Sequence, residues 1–258
     1  MAQPSLLIDH PSPGLTVLTL NRPEAMNAID MELARDLFAA LDAAEQDPDA
    51  RSIVLSGAGG RAFSAGFDIH ELADFDQAAM REAFVYRDPL MLRLAQHRLP
   101  VIVAIEGIAY GAGALLAAAA DLRVASTSAR FKVTATAYDG ANATWSLPPL
   151  VGMATAKEIL MTGRVVDAGE GAVIGLYNRV VEPDHALSTA IELAAAIAAN
   201  PPGGVAGIKR LVGAAQALSP ADGWQAEHDF MLASLEGGAK GGDAVFAGFL
   251  GKHPKGKG

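Results

Sequence analysis

Two hydrophobic periods run along this chain, and the places where one gives way to the other predict its elements. Leu15 to Leu20 (LTVLTL), Ser52 to Ser56 (SIVLS) and Val101 to Ile105 (VIVAI) are short runs rich in β-branched residues, the signature of strands. The first stops at Asn21-Arg22-Pro23, where proline halts sheet pairing. The third lies between Pro100 and Gly107 and reads as a strand covered on both faces. Asp30 is placed to cap a helix reaching about Glu45, with Leu33, Leu37, Phe38 and Leu41 on one face. After Arg164 the period is helical, over Asp167 to Leu176, Asp184 to Asn200, Val205 to Ala217 and Pro220 to Leu235. Pro201-Pro202-Gly203-Gly204 marks a boundary, which predicts a core domain over 1–200 and a helical region over 201–258.

The pattern breaks in Leu99 to Asp121 (LPVIVAIEGIAYGAGALLAAAAD), where three glycines, Gly107, Gly111 and Gly113, separate the buried strand from a strongly helix-forming ALLAAAA. The stretch is long enough to span a bilayer, but Glu106, Pro100 and the glycines oppose that reading. Two readings remain. The glycines serve close packing of helix on strand, or they deliver the chain to a helix N-terminus whose first amides are free to bind an oxyanion. Taken alone, the stretch favours packing.

Composition narrows the classes. Half of the 258 residues are hydrophobic, at 51%, enough for a full core. The net charge of −9 argues against a nucleic-acid surface, so any anion site must be local. The absence of cysteine excludes disulfides and thiolate chemistry. No His, Asp and Glu spacing suggests a metal site. MAQPSLLIDH lacks a basic segment followed by an apolar one, so no signal peptide is expected, and the protein is read as soluble and cytoplasmic.

A second strand running into a glycine-rich bend changes the balance between packing and binding. Ser52 to Ser56 leads into Gly57 to Asp68 (GAGGRAFSAGFD), and Asp68 suits the start of a short helix over Ile69 to Ala73. The Phe67 amide is thereby placed much as the Ala112 amide is placed in the central stretch. Two such amides are able to meet on one oxygen.

With NRPEAMNAI at Asn21 to Ile29, GGRAFSAGFDI at Gly59 to Ile69, EGIAYGAGALLAAAADLRVAS at Glu106 to Ser126 and WSLPPLVGMATAKEILMTGR at Trp145 to Arg164, the chain resembles the crotonase superfamily of enoyl-CoA hydratases and isomerases from about Leu15 to Phe249. The resemblance implies an α/β fold, a ClpP-like spiral of strand-strand-helix units, followed by a helical region that assembles a homotrimer or a dimer of trimers. It implies an acyl-CoA thioester as substrate, with coenzyme A entering as part of that substrate and no separate cofactor or membrane partner. The thioester oxygen falls between the amides of Phe67 and Ala112. Substrate binding falls on Ala25, Ser64, Ala65, Gly66, Asp68, Ile69, Gly111, Tyr138 and Trp145, with CoA along 21–28 and 64–69.

The acids depart from the family pattern. The two glutamates of hydratases that resemble this chain fall on Leu115 and Ala135. Asp139 lies in the loop where related enzymes carry a second acid or, in the dehalogenase branch, an aspartate nucleophile, yet Asp139-Gly140 is also a turn signal. Three functions follow: an enoyl-CoA hydratase/isomerase-type lyase with a non-standard acid, a hydrolytic or dehalogenase-like enzyme using Asp139, or a catalytically weak CoA-binding paralogue. Tyr138 is a candidate donor, and Asn142 and Thr144 candidate pocket residues. Glu106, His70 and His97 read as structural. The basic KHPKGKG from Lys252 is read as a solvated tail, or as a contact for CoA phosphates.

Overall fold

The computed structural model describes residues 4–236. In chain order the strands are β1 (Leu6–Ser12), β2 (Leu15–Leu20), β3 (Ser52–Gly57), β4 (Ala62–Ser64), β5 (Val101–Ile105), β6 (Ile108–Tyr110), β7 (Leu122–Ser126), β8 (Arg130–Lys132), β9 (Val166–Asp167) and β10 (Arg179–Val181). The helices are α1 (Met31–Gln46), α2 (Ile69–Ala73), α3 (Gln77–Arg87), α4 (Pro89–Ala95), α5 (Ala112–Ala119), α6 (Pro148–Val151), α7 (Met153–Thr162), α8 (Ala168–Val173), α9 (Ala186–Ala198), α10 (Pro202–Ala215) and α11 (Pro220–Glu236).

The strands divide between a sheet of order β1-β2-β3-β5-β7-β10 and a smaller one of order β4-β6-β8-β9. Each turn of the chain gives one strand to each sheet, β3 then β4, β5 then β6, β7 then β8. That alternation is the expected spiral. In the larger sheet pairing is parallel from β2 through β10 and β1 closes the edge antiparallel to β2, whereas β9 closes the smaller sheet antiparallel to β8.

Val101 to Ile105 is buried along its whole length because its two faces meet different helices. Ile102 and Ala104 join Val17, Val54 and Val124 against Ala186, Ala190 and Ala194 of α9. Val101, Val103 and Ile105 face the larger core, which includes Leu33, Leu37 and Leu41 of α1. Small alanines on α9 let the helix lie close over the branched strand residues. Asp30 caps α1 as expected, its carboxylate accepting from the Leu33 amide at 2.8 Å.

Helix α5 is buried throughout and held at its C-terminal end by Arg123, whose guanidinium donates to the carbonyls of Ala120 at 2.7 Å and Ala117 at 3.1 Å, and to Leu176 at 2.7 Å. A cation there satisfies carbonyls the helix leaves free and complements its dipole. Burial pulls Arg123 down to about 10, with Asp121 opposing, so it stays charged at neutral pH.

One boundary differs from expectation. Pro202-Gly203-Gly204 forms the first turn of α10, not a break before it, because proline suits the first helical position, where its missing N–H is not needed. The chain divides into two units, 1–206 and 207–258. In the second, Arg210 lies over the Phe230 ring at 5.6 Å. The basic tail from Lys252 lies outside the described residues, as does the end of the 201–258 region. Among the described residues no helix is long and apolar enough to cross a membrane, and no group of three or more His, Cys, Asp or Glu side chains is placed to hold a metal ion.

Candidate active site

The two glycine-rich bends come together. Gly66 has φ +105, and a Cβ on it would stand 3.0 Å from the Ala112 nitrogen and 3.0 Å from the Tyr110 carbonyl oxygen. Gly113 lies against the other end of the same segment, where a Cβ would reach the Ser64 carbonyl at 2.5 Å. Only chains without side chains at these points approach so closely. The close packing read from the glycines is present, and it sets the two bends side by side.

The free amides follow from hydrogen-bond geometry. Ile29 bridges Phe67 in parallel, with Ile29 N–H donating to Gly66 at 2.7 Å and Asp68 N–H donating to Ile29 at 3.0 Å. A parallel bridge of this kind turns the N–H of the bridged residue itself to the opposite side. Ala112 opens α5, Gly111 before it offers no side-chain cap, and the first helical amides have no partner within the helix. Two main-chain donors with the positive end of an eight-residue helix behind one of them suit an oxygen that gains negative charge.

The neighbouring loop is tied down by residues that sequence reasoning passed over. Asn27 is fully buried, donates to the carbonyls of Ala58 at 2.9 Å and Ala62 at 2.8 Å, and accepts from the Arg22 amide at 3.0 Å. Its own carbonyl accepts from the Ser64 hydroxyl at 2.8 Å, which in turn accepts from the Gly66 amide at 3.1 Å. Arg22 bridges Asp30 at 3.1 Å and Asp68 at 2.9 Å. Arg87, 1% exposed, pairs with Glu71 at 3.1 Å and lies over the Phe67 ring at 4.4 Å. NRPEAMN held the signal for Asn27 and Arg22, but the partners Ala58, Ala62 and Asp68 lie more than thirty residues away.

Asp68 caps α2 through the amides of His70 and Glu71. Burial works to raise its carboxyl, but the Arg22 guanidinium and those two amides outweigh it and hold the group below its ordinary value. A carboxylate with a depressed folded pKa stabilises the fold above its unfolded pKa, and that stability is lost as pH falls through the folded value. Asp68→Asn is therefore expected to lower the melting temperature at pH 7 and to differ less from the parent near pH 3; equal differences at both pH values would show that the charge does not act.

The other expected residues separate. Ser64 is fully buried and Gly66 and Asp68 are buried, Ala25, Ala65 and Gly111 are half-buried, and Ile69 is 71% exposed beside them. Leu115, one of the two positions where the resemblance puts the usual glutamates, lines a cleft of about 410 Å³ with Asn142, Thr144 and Trp145. Ala135, the other, is buried in a short 3₁₀ helix. Asp139 closes that helix in the left-handed region at φ 59, exposed, with its amide bonded to the Ala135 carbonyl. That is the placement of a turn former. Tyr138 is 62% exposed and leans over Gly140. Glu106 accepts from the Ala186 amide at the start of α9, and His97 bonds Leu41 and Leu99 in the core, both structural roles as expected.

A spiral of paired strands with two adjoining glycine bends defines the crotonase class. Comparison with known proteins agrees: the enoyl-CoA hydratase/isomerase family model matches residues 11–237. The chain belongs to the enoyl-CoA hydratase/isomerase family. It is 35% identical over 191 residues to the short-chain-enoyl-CoA hydratase of Clostridium acetobutylicum, covering 73% of each chain. It is 36% identical to the (E)-benzylidenesuccinyl-CoA hydratase of Thauera aromatica, covering 72% of this chain and 73% of that one. The crystal structure of an enoyl-CoA hydratase from Bacillus anthracis superposes with a TM-score of 0.89 at 31% identity, covering 96% of both chains.

Proposed function

We infer that this chain binds an acyl-CoA thioester and stabilises an enolate or oxyanion at its carbonyl between the N–H groups of Phe67 and Ala112. The observation that carries the reading is the close approach of the two bends, in which a Cβ added to Gly66 would stand 3.0 Å from the Ala112 nitrogen. CoA runs along 21–28 and 64–69, and the acyl chain enters the cleft beside Leu115. The relatives named above as hydratases act on CoA thioesters by their names, which supports the substrate class. Exposed Trp224, Met231 and Leu235 on α11 suit the self-association that the resemblance implies.

The reaction is not ordinary two-carboxylate hydration, because the usual acid positions hold Leu115 and Ala135. Crotonyl-CoA hydration is expected to run at least about a hundredfold below a two-glutamate hydratase, since positioned acid-base groups contribute roughly 10² to 10⁴. Hydrogen exchange with and without butyryl-CoA tests the binding mode: slowed exchange is expected in 21–28 and 64–69. Protection confined to the C-terminal helices would exclude this site. Binding without turnover of any acyl-CoA would favour the catalytically weak paralogue.

A further inference from the structure

The cleft that Leu115 lines also has a carboxylate on its wall. Asp88 joins α3 to α4 and borders the cleft together with Met91, Leu92, Leu115 and Trp145. Leu115 is three residues beyond Ala112 in α5, one turn along the same helix face. The cleft that Asp88 borders therefore reaches a side chain one helical turn from Ala112.

The fold makes no use of this side chain as a cap. Asp30, Asp68, Asp76 and Asp167 each precede a helix and each accept a backbone N–H with the side chain. Asp88 holds the same position before α4 and caps nothing. Pro89 follows it without an N–H, and its backbone, at φ −59 and ψ −40, continues α3 instead of adopting the extended shape that turns a side chain back on its helix. The residue is exposed and borders a cleft that Met91, Leu92 and Leu115 also line. Partial burial pushes its carboxyl above the ordinary value, with the Arg87 charge opposing. Helix α5, packed against α4, carries no ionisable side chain.

We propose that Asp88 is the acid-base residue of this chain, a carboxylate reaching the acyl group from the α3–α4 corner in place of the two glutamates absent from positions 115 and 135. The assignment rests on the acyl-CoA reading above. Its carboxylate takes a proton from C2 of the thioester. The C–H electron pair becomes the C1–C2 double bond, and the carbonyl pair moves to the oxygen held by Phe67 and Ala112. With a 3-enoyl thioester the charge extends to C4. When the carbonyl re-forms, the double bond moves to C2–C3, and the carboxylic acid returns its proton at C4. No water, oxidant or second acid is consumed. A lone carboxylate thus suits a proton shift within the acyl chain.

The test is exchange of the C2 protons of butyryl-CoA in D2O, followed by NMR, because it needs only enolate formation and one base. Wild-type protein is expected to exchange them. Asp88→Asn is expected to lower the rate by about 10²- to 10⁴-fold with butyryl-CoA affinity within twofold of the parent, while Asp88→Glu retains part of the rate. Exchange at the wild-type rate in Asp88→Asn overturns the assignment, as does wild-type protein that binds butyryl-CoA and exchanges nothing. Failure of wild-type protein to bind butyryl-CoA overturns the acyl-CoA reading itself, and the assignment with it.

Discussion

Gly66→Ala is expected to lower acyl-CoA turnover by about 10²- to 10³-fold, the loss that follows removal of one oxyanion donor elsewhere. The added methyl would stand 3.0 Å from the Ala112 nitrogen and from the Tyr110 oxygen, both main chain, so neither can swing aside as a side chain would. The peptide carrying the Phe67 amide, or the start of α5, must move. Displacements of this size suffice, since a misplacement of about 1 Å costs roughly 10² in rate. The φ of +105 adds strain of about 1 to 3 kcal/mol for a residue with a Cβ, so the melting temperature falls as well. The measurement is kcat and butyryl-CoA affinity well below the melting temperature of the variant. A folded variant with wild-type kcat would show that Phe67 and Ala112 do not hold the reacting oxygen.

Asn27→Ala is expected to destabilise the protein by about 3 kcal/mol, because it leaves the Ala58 and Ala62 carbonyls and the Arg22 amide without their side-chain partner and each unsatisfied buried group costs roughly 1 to 3 kcal/mol. Asn27 also has φ 55, a left-handed conformation that asparagine adopts more readily than alanine. The loss should reach the site, since the Asn27 carbonyl holds the Ser64 hydroxyl and that hydroxyl holds the Gly66 amide. Urea unfolding is expected to show a lower midpoint at unchanged slope. A midpoint equal to that of the parent would mean that the loop is held by its backbone bonds alone.

Much of the spiral was legible as sequence because the relevant physics is local. A continuous run such as Val101 to Ile105 is stable only where both faces are covered, and an aspartate such as Asp30, with an extended backbone before a leucine-periodic segment, caps the helix wherever that segment lies. α1, α2, α5, α9 and α11 accordingly stand within a few residues of where periodicity and capping put them. The strands of the smaller sheet were not legible in the same way. β4, β6 and β8 are three residues each, too short to show a period, and they exist because neighbouring turns of the spiral pair them.

The site divides along the same line. The proposed donors Phe67 and Ala112 could be named from their glycine neighbours, since the need for a bare backbone is written at the residue that meets it. Asp139 could be named only as an acid in a plausible loop; its exposed left-handed turn depends on how the chain leaves Ala135. Asp88 carries no local signal, being one aspartate before one proline. It acquires a setting only where α4 packs on α5, across a separation of 27 residues from Leu115 that no periodicity spans. A capping bond or a buried strand is satisfied by residues adjacent in the chain, whereas the environment of a carboxylate is set by whatever the folded chain brings to it from elsewhere.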